Sequence, residues 1–145
     1  MDYFQTYAPV VSWIAVRILL ILAIFACLAT IQVDYSNAFA QGMLNEIIYL
    51  GLPQGCTGKY GHDTVLKLNC SLYGLKQAAL CWFDKLKAAF LAQGWTQPLP
   101  HLEPCLFTKQ GVICLVYVND CLFFILAKEQ TVININQKDH TLSLH

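Results

Sequence analysis

Charge is scarce in this sequence: Asp, Glu, Lys and Arg make up 12% of its 145 residues, about half the usual share. Nine basic residues are balanced by nine acidic ones, so no global positive field draws the chain to nucleic acid or to an anionic membrane. Any nucleic-acid binding has to come from local geometry. There is no CxxC pair, no internal repeat, no low-complexity tract and no charge run, which argues against zinc ribbons, solenoids and charged tails. Seven cysteines, at 27, 56, 70, 81, 105, 114 and 121, are an odd number and a poor start for a disulfide framework. Most sit inside apolar runs, and they read as small core residues in a reducing compartment, the cytoplasm or nucleus. What is abundant is apolar surface, 57% of residues, far from the balance of a disordered chain. A chain of this length is expected to bury one sizeable core and form one domain.

Val10 to Thr30 (VVSWIAVRILLILAIFACLAT) is interrupted by one charge, Arg17. It is long enough to span a bilayer, but Arg17 falls near its middle, where a charge costs at least about 2.5 kcal/mol on insertion scales. The chain start carries Asp2 and no basic cluster, the reverse of a secretory signal. A buried core helix, a small membrane anchor over 10–30 and an amphipathic surface helix all remain open on the residues alone.

Further along, Thr30 to Tyr35 (TIQVDY) alternates and reads as a short strand, and a turn follows at Gln41-Gly42. Glu46 to Leu52 is strand-like. Pro53, Gly55, Gly58 and Gly61 make a loop, and Val65 to Leu68 a second short strand. From Leu75 to Phe90 the apolar residues Leu75, Ala79, Trp82, Leu86 and Phe90 recur at helical steps, with Lys76, Asp84, Lys85 and Lys87 opposite, and Gly94 is placed to end the helix. Apolar runs over Cys105 to Lys109, Val112 to Val118 and Cys121 to Ala127 predict three strands, with Asn119-Asp120 as the tight link of the last pair. The predicted class is α+β, an antiparallel sheet with two helices packed on one face. Residues 128–145 lack a clear period and are expected to form an irregular tail after a folded region over 1–127.

Two carboxylates end apolar strands: Asp34 after Val33, and Asp120 after Val118-Asn119. A half-buried charge needs a reason. The plain one is turn and cap chemistry, since Asn and Asp tolerate unusual backbone angles.

Read together, the strings VDYSNAFAQG, SLYGLKQAALCWFDKL and LVYVND resemble, in order and spacing, three polymerase motifs of copia-type retrotransposon reverse transcriptases. DYFQTYAPVVSWIAVRILL and IIYLGLPQG resemble the intervening segments, so the similarity runs from about Asp2 to about Ala127. The resemblance implies a partial, ferredoxin-like polymerase palm, with the first helix against its sheet rather than in a membrane. It implies RNA-directed DNA polymerase chemistry with two magnesium ions, a primer-template of RNA or DNA, and a deoxynucleotide substrate. Hard divalent ions of that kind want carboxylate oxygens.

By resemblance Asp34 and Asp120 are metal carboxylates, Phe39 lies under the incoming sugar, and Tyr73, Gly74, Lys76 and Gln77 line the nucleotide pocket. For Phe39 a core aromatic, and for Lys76 a solvated helix face, are the alternatives. Where the family has Tyr-Val-Asp-Asp, this chain has Tyr117-Val118-Asn119-Asp120. Asn119, at a catalytic position, loses a negative charge that bridges the ions, and Asp120 is read as poorly placed to substitute. After SLYGLKQA the family continues Pro-Arg, whereas Ala79-Leu80 stand here. Basic finger strand, thumb, protease, integrase and ribonuclease H segments are expected to be missing. The expectation is a truncated reverse transcriptase inactive alone. The alternatives are a non-catalytic fragment binding nucleic acid or protein through exposed apolar surface, and a membrane-anchored protein.

Overall fold

The computed structural model describes residues 7–56, 60–61 and 63–126. The expected tail at 128–145 and Gly58 of the expected loop lie outside those residues. The order is α1 (Trp13–Phe25), β1 (Leu28–Asp34), α2 (Ala38–Gln41), β2 (Tyr49–Gly51), β3 (Val65–Lys67), α3 (Ala78–Ala92), β4 (Leu106–Lys109), β5 (Val112–Tyr117) and β6 (Asp120–Leu126). The chain gathers into two compact units, Val10–Tyr35 with Phe90–His145, and Met1–Pro9 with Ser36–Ala89. The class is α+β, built on antiparallel strands.

The first unit holds a four-stranded antiparallel sheet in the order β1-β6-β5-β4. Helix α1 opens where the Ser12 side chain accepts a hydrogen bond from the Ala15 N–H at 3.1 Å, and the buried Glu103 carboxylate accepts the Ser12 N–H at 3.0 Å. These are N-terminal donors that the helix cannot satisfy itself. It stops at Phe25 because Cys27 turns to a left-handed φ of 50° and the chain then pairs with β6. At 13 residues α1 is far short of a span, and no helix among the described residues is long and apolar enough to cross a membrane.

Strand register assigns the two sheet faces, because side chains alternate. Leu28, Leu106, Ile113, Leu115, Leu122 and Phe124 share one face, and Leu19 and Ala23 of α1 pack there. Phe107, Cys114, Val116, Cys121 and Ile125 share the other, all at or near zero exposure. Phe90, in the last turn of α3, meets Phe107 edge-on at 5.0 Å, and Trp95 meets Phe123, also of that face, at 5.9 Å. The expectation of both helices on one face is therefore corrected. The physical reason was visible in VICLVY and CLFFIL, which are continuously apolar rather than alternating, as strands buried on both faces must be.

Helix α3 ends in a double hydrogen bond. The Trp95 N–H reaches the Phe90 carbonyl and the Gly94 N–H the Leu91 carbonyl, both at 3.0 Å. The Trp95 ring stacks on Phe90 at 5.2 Å, supplying the apolar contact that accompanies this stop. The β4–β5 link, Gln110-Gly111, has both φ values positive, the backbone that matches strand twist in a two-residue hairpin.

In the second unit β2 and β3 form a two-stranded antiparallel sheet of their own rather than extending a single sheet. Helix α3 begins three residues later than the apolar period suggested, because Leu75 to Gln77 form turns. Its buried arc includes Ala78, Cys81 and Phe83 as well as Trp82 and Leu86. Four cysteines, 81, 105, 114 and 121, are buried, Cys27 is exposed, and all seven are free thiols.

Candidate active site

Asp34 is the last residue of β1 and Asp120 the first of β6, and they are direct register partners. The tight link of the last hairpin is Val118-Asn119, not Asn119-Asp120 as expected, because Tyr117 already pairs with Asp120. Val118 carries a positive φ of 57°, an angle that costs a β-branched residue about 1–3 kcal/mol. The Tyr35 N–H donates to the Asn119 carbonyl at 2.9 Å, so the loop backbone is fixed to the end of β1.

The side chains at this sheet end are mutually bonded. The Asn119 Nδ2 donates to Asp34 Oδ1, and the Gln32 Nε2 donates to Asp120 Oδ1 at 3.1 Å. Asp34 and Gln32 are exposed, Asn119 and Asp120 half-buried. Like charges directly opposite in a strand pair repel, and each carboxylate here receives an amide donor instead of a cation. Burial raises the pKa of the Tyr35 hydroxyl well above the ordinary phenol value, with the Cys121 and Cys114 thiols adding in the same direction.

Gln32 is the member that sequence reading missed. Alternation along TIQVDY puts it on the face of Asp34, and that signal was available.

The expected nucleotide-pocket residues lie in the other unit. Phe39 sits in α2, half-buried, with its ring 5.0 Å from that of Tyr73 at 59°. Gly74 takes a φ of 94° with open space where a Cβ would stand, so the backbone angle asks for glycine there and no crowding does. Lys76 is exposed and Gln77 half-buried, and the Gln77 carbonyl accepts the Cys81 N–H at 2.9 Å. Lys85, read as part of the solvated helix face, instead donates to the Gln41 carbonyl at 2.9 Å.

For a pair of divalent ions the donor set does not fit. Among the described residues no group of three or more His, Cys, Asp or Glu could hold a metal ion. A carboxylate only accepts hydrogen bonds, so it is the NH2 of Asn119, not its carbonyl oxygen, that meets Asp34.

A family model described as reverse transcriptase (RNA-dependent DNA polymerase) matches residues 1–143. The chain belongs to this family. Three relatives place it in the copia-type branch. The Retrovirus-related Pol polyprotein from transposon RE2 of Arabidopsis thaliana is 34% identical over 126 residues, 84% of this chain and 8% of that protein. That from transposon RE1 of the same plant is 36% identical over the same shares. That from transposon TNT 1-94 of Nicotiana tabacum is 34% identical over 138 residues, 92% of this chain and 10% of that protein. The chain thus spans a tenth or less of the relatives' length and is a reverse transcriptase domain fragment. No solved structure matches it. Reverse transcriptases in general use divalent metals and nucleic-acid substrates.

Proposed function

We propose that residues 1–127 are a palm-type portion of an RNA-directed DNA polymerase, without polymerase activity by itself. Asp34 and Asp120 stand for the metal carboxylates, Phe39 for the aromatic under the incoming sugar, and Tyr73, Gly74, Lys76 and Gln77 for the nucleotide pocket. The substrates of the reading are an RNA or DNA primer-template and a deoxynucleotide, with magnesium as the family's ion. Strand order β1-β6-β5, with the carboxylates meeting at one sheet end, supports the palm assignment.

One observation carries the silence: the residue between Val118 and Asp120 is an asparagine whose amide is donated to Asp34. Two divalent ions need anionic oxygen around them, and this end offers two carboxylates, both engaged by amides. Losing one charged ligand costs several kcal/mol of transition-state stabilisation, and each ~1.4 kcal/mol is tenfold in rate. No metal-dependent step is derived from this arrangement.

Primer extension on a homopolymer template with magnesium or manganese tests the reading, comparing the natural chain, Asn119→Asp, and Asp34→Ala as the blank. No extension by the natural chain is expected. Extension by the natural chain that Asp34→Ala abolishes would show that asparagine serves as a ligand and that the chain is a working polymerase.

A binding role without catalysis has one supporting observation. The outer surface of α1 leaves Trp13, Ile14, Ile18, Ile21, Ile24 and Phe25 more than half exposed, an apolar area larger than scattered surface residues make. Concentration-dependent self-association or primer-template binding, measured on the purified chain, separates that role from simple inactivity.

A further inference from the structure

The carboxylates of Asp34 and Asp120 are placed opposite each other by strand register, a juxtaposition that needs a counter-charge or a set of donors. The donors are supplied in a crossed pattern. Gln32, on β1, reaches Asp120 on β6 at 3.1 Å, and Asn119, in the hairpin loop, reaches Asp34 on β1. Each bond therefore ties one side of the strand pair to the other. The backbone bond from Tyr35 N–H to the Asn119 carbonyl, 2.9 Å, holds the loop where the Asn119 side chain can make its contact. Both amides present NH2 to a carboxylate, which can only accept.

We infer that the amides of Asn119 and Gln32 have taken over, at this sheet end, the role that divalent cations fill in an all-carboxylate site. The β1–β6 end closes without metal, and an aspartate at 119 makes its closure depend on a cation. The inference rests on the reading of Asp34 and Asp120 as the family's metal carboxylates. Asn119→Asp exchanges a donor for a third carboxylate beside Asp34 and Asp120. Asn119→Ala removes the donor and adds no charge.

The experiment is thermal unfolding of the full chain in chelator and in millimolar magnesium, with sodium chloride at matched ionic strength as control. The natural chain is expected to melt at one temperature in both. Asn119→Asp is expected to melt lower in chelator by about 4 °C or more and to recover most of that loss in magnesium. Asn119→Ala is expected to melt lower in both, with no recovery, and it carries the test if the aspartate variant does not fold in chelator. The inference is overturned if the natural chain gains as much from magnesium as Asn119→Asp, if Asn119→Asp in chelator matches the natural chain, or if Asn119→Ala melts as the natural chain does. Primer extension reports separately on the polymerase reading: extension by the natural chain that Asp34→Ala abolishes would overturn the absence of activity proposed above, whereas the melting comparison alone decides whether the amides stand in for a cation.

Discussion

Replacing Gly74 with alanine separates two reasons for a glycine in the Tyr73-Gly74 turn. Its φ is 94°, and no atom lies within 4 Å of the place a Cβ would take. Steric conflict with neighbours is therefore absent, and the cost is the left-handed backbone alone, about 1–2 kcal/mol for an L-residue. Alanine also reduces the freedom of the unfolded chain, which returns about 0.4–1 kcal/mol. The net expected loss is about 1 kcal/mol. Gly94, with a φ of 83° and equally open surroundings, should lose a similar amount. Gly51 serves as the control, since its surroundings are open and its φ is not positive, so alanine there should be neutral or slightly stabilising. Urea unfolding of the three variants at constant m-value measures this. The reasoning is refuted if Gly74→Ala unfolds at the natural midpoint while Gly94→Ala does not, because the turn would then not hold glycine for its backbone angle.

Phe107→Ala should cost about 3–5 kcal/mol, since that ring is fully buried against Phe90; a urea midpoint within experimental error of the natural one would contradict the two-faced packing of the sheet. Val118→Gly should raise stability by about 1 kcal/mol by relieving a β-branched residue at φ 57°, read from the same urea curves, and a loss would show that the valine side chain's contacts outweigh its backbone cost. Burial lifts the Cys105 thiol to about 12, with Glu103 adding to the rise, and lifts Cys114 and the Tyr35 hydroxyl as well. The folded chain therefore holds protons that the unfolded chain releases from about pH 9, so this contribution is full below that pH and is lost as pH rises from there towards 12. Melting temperatures across pH 8 to 11 should fall progressively, and a flat profile would argue against buried thiols. At pH 8 a thiol-alkylating reagent should modify Cys27 readily and spare Cys105, Cys114 and Cys121, as peptide mapping would show.

Most of the elements were legible because local signals and tertiary packing agree. The three terminal strands, the Gly94 stop and the apolar period of α3 all follow from short-range chemistry. The departures have non-local causes. Helix α1 is shorter than its apolar run because Leu28 onwards is claimed by pairing with β6, 86 to 98 residues away in sequence. Helix α3 presents a wider buried arc than its period indicated, and its last turn covers a sheet face that the continuous apolar runs of β5 and β6 had advertised. The hairpin link was displaced by one residue because Asn-Asp is good turn chemistry, and nothing local reveals that Asp120 is already paired with Asp34 and Tyr117.

That displacement is also what connects fold to chemistry. With Asp120 inside β6 rather than in the loop, register sets it against Asp34, and alternation sets Gln32 on the same face two positions before Asp34. The loop position that remains, 119, is the one from which a side chain reaches Asp34. A charged residue there would add a third anion to an end already holding two, and the energy of closing the β1–β6 end would come to depend on a cation. An amide there reverses the sign of the contact: it donates where an aspartate would repel. The amide at 119 therefore strengthens the bare strand pair. A chain carrying it can keep this end of the antiparallel sheet closed without a cation.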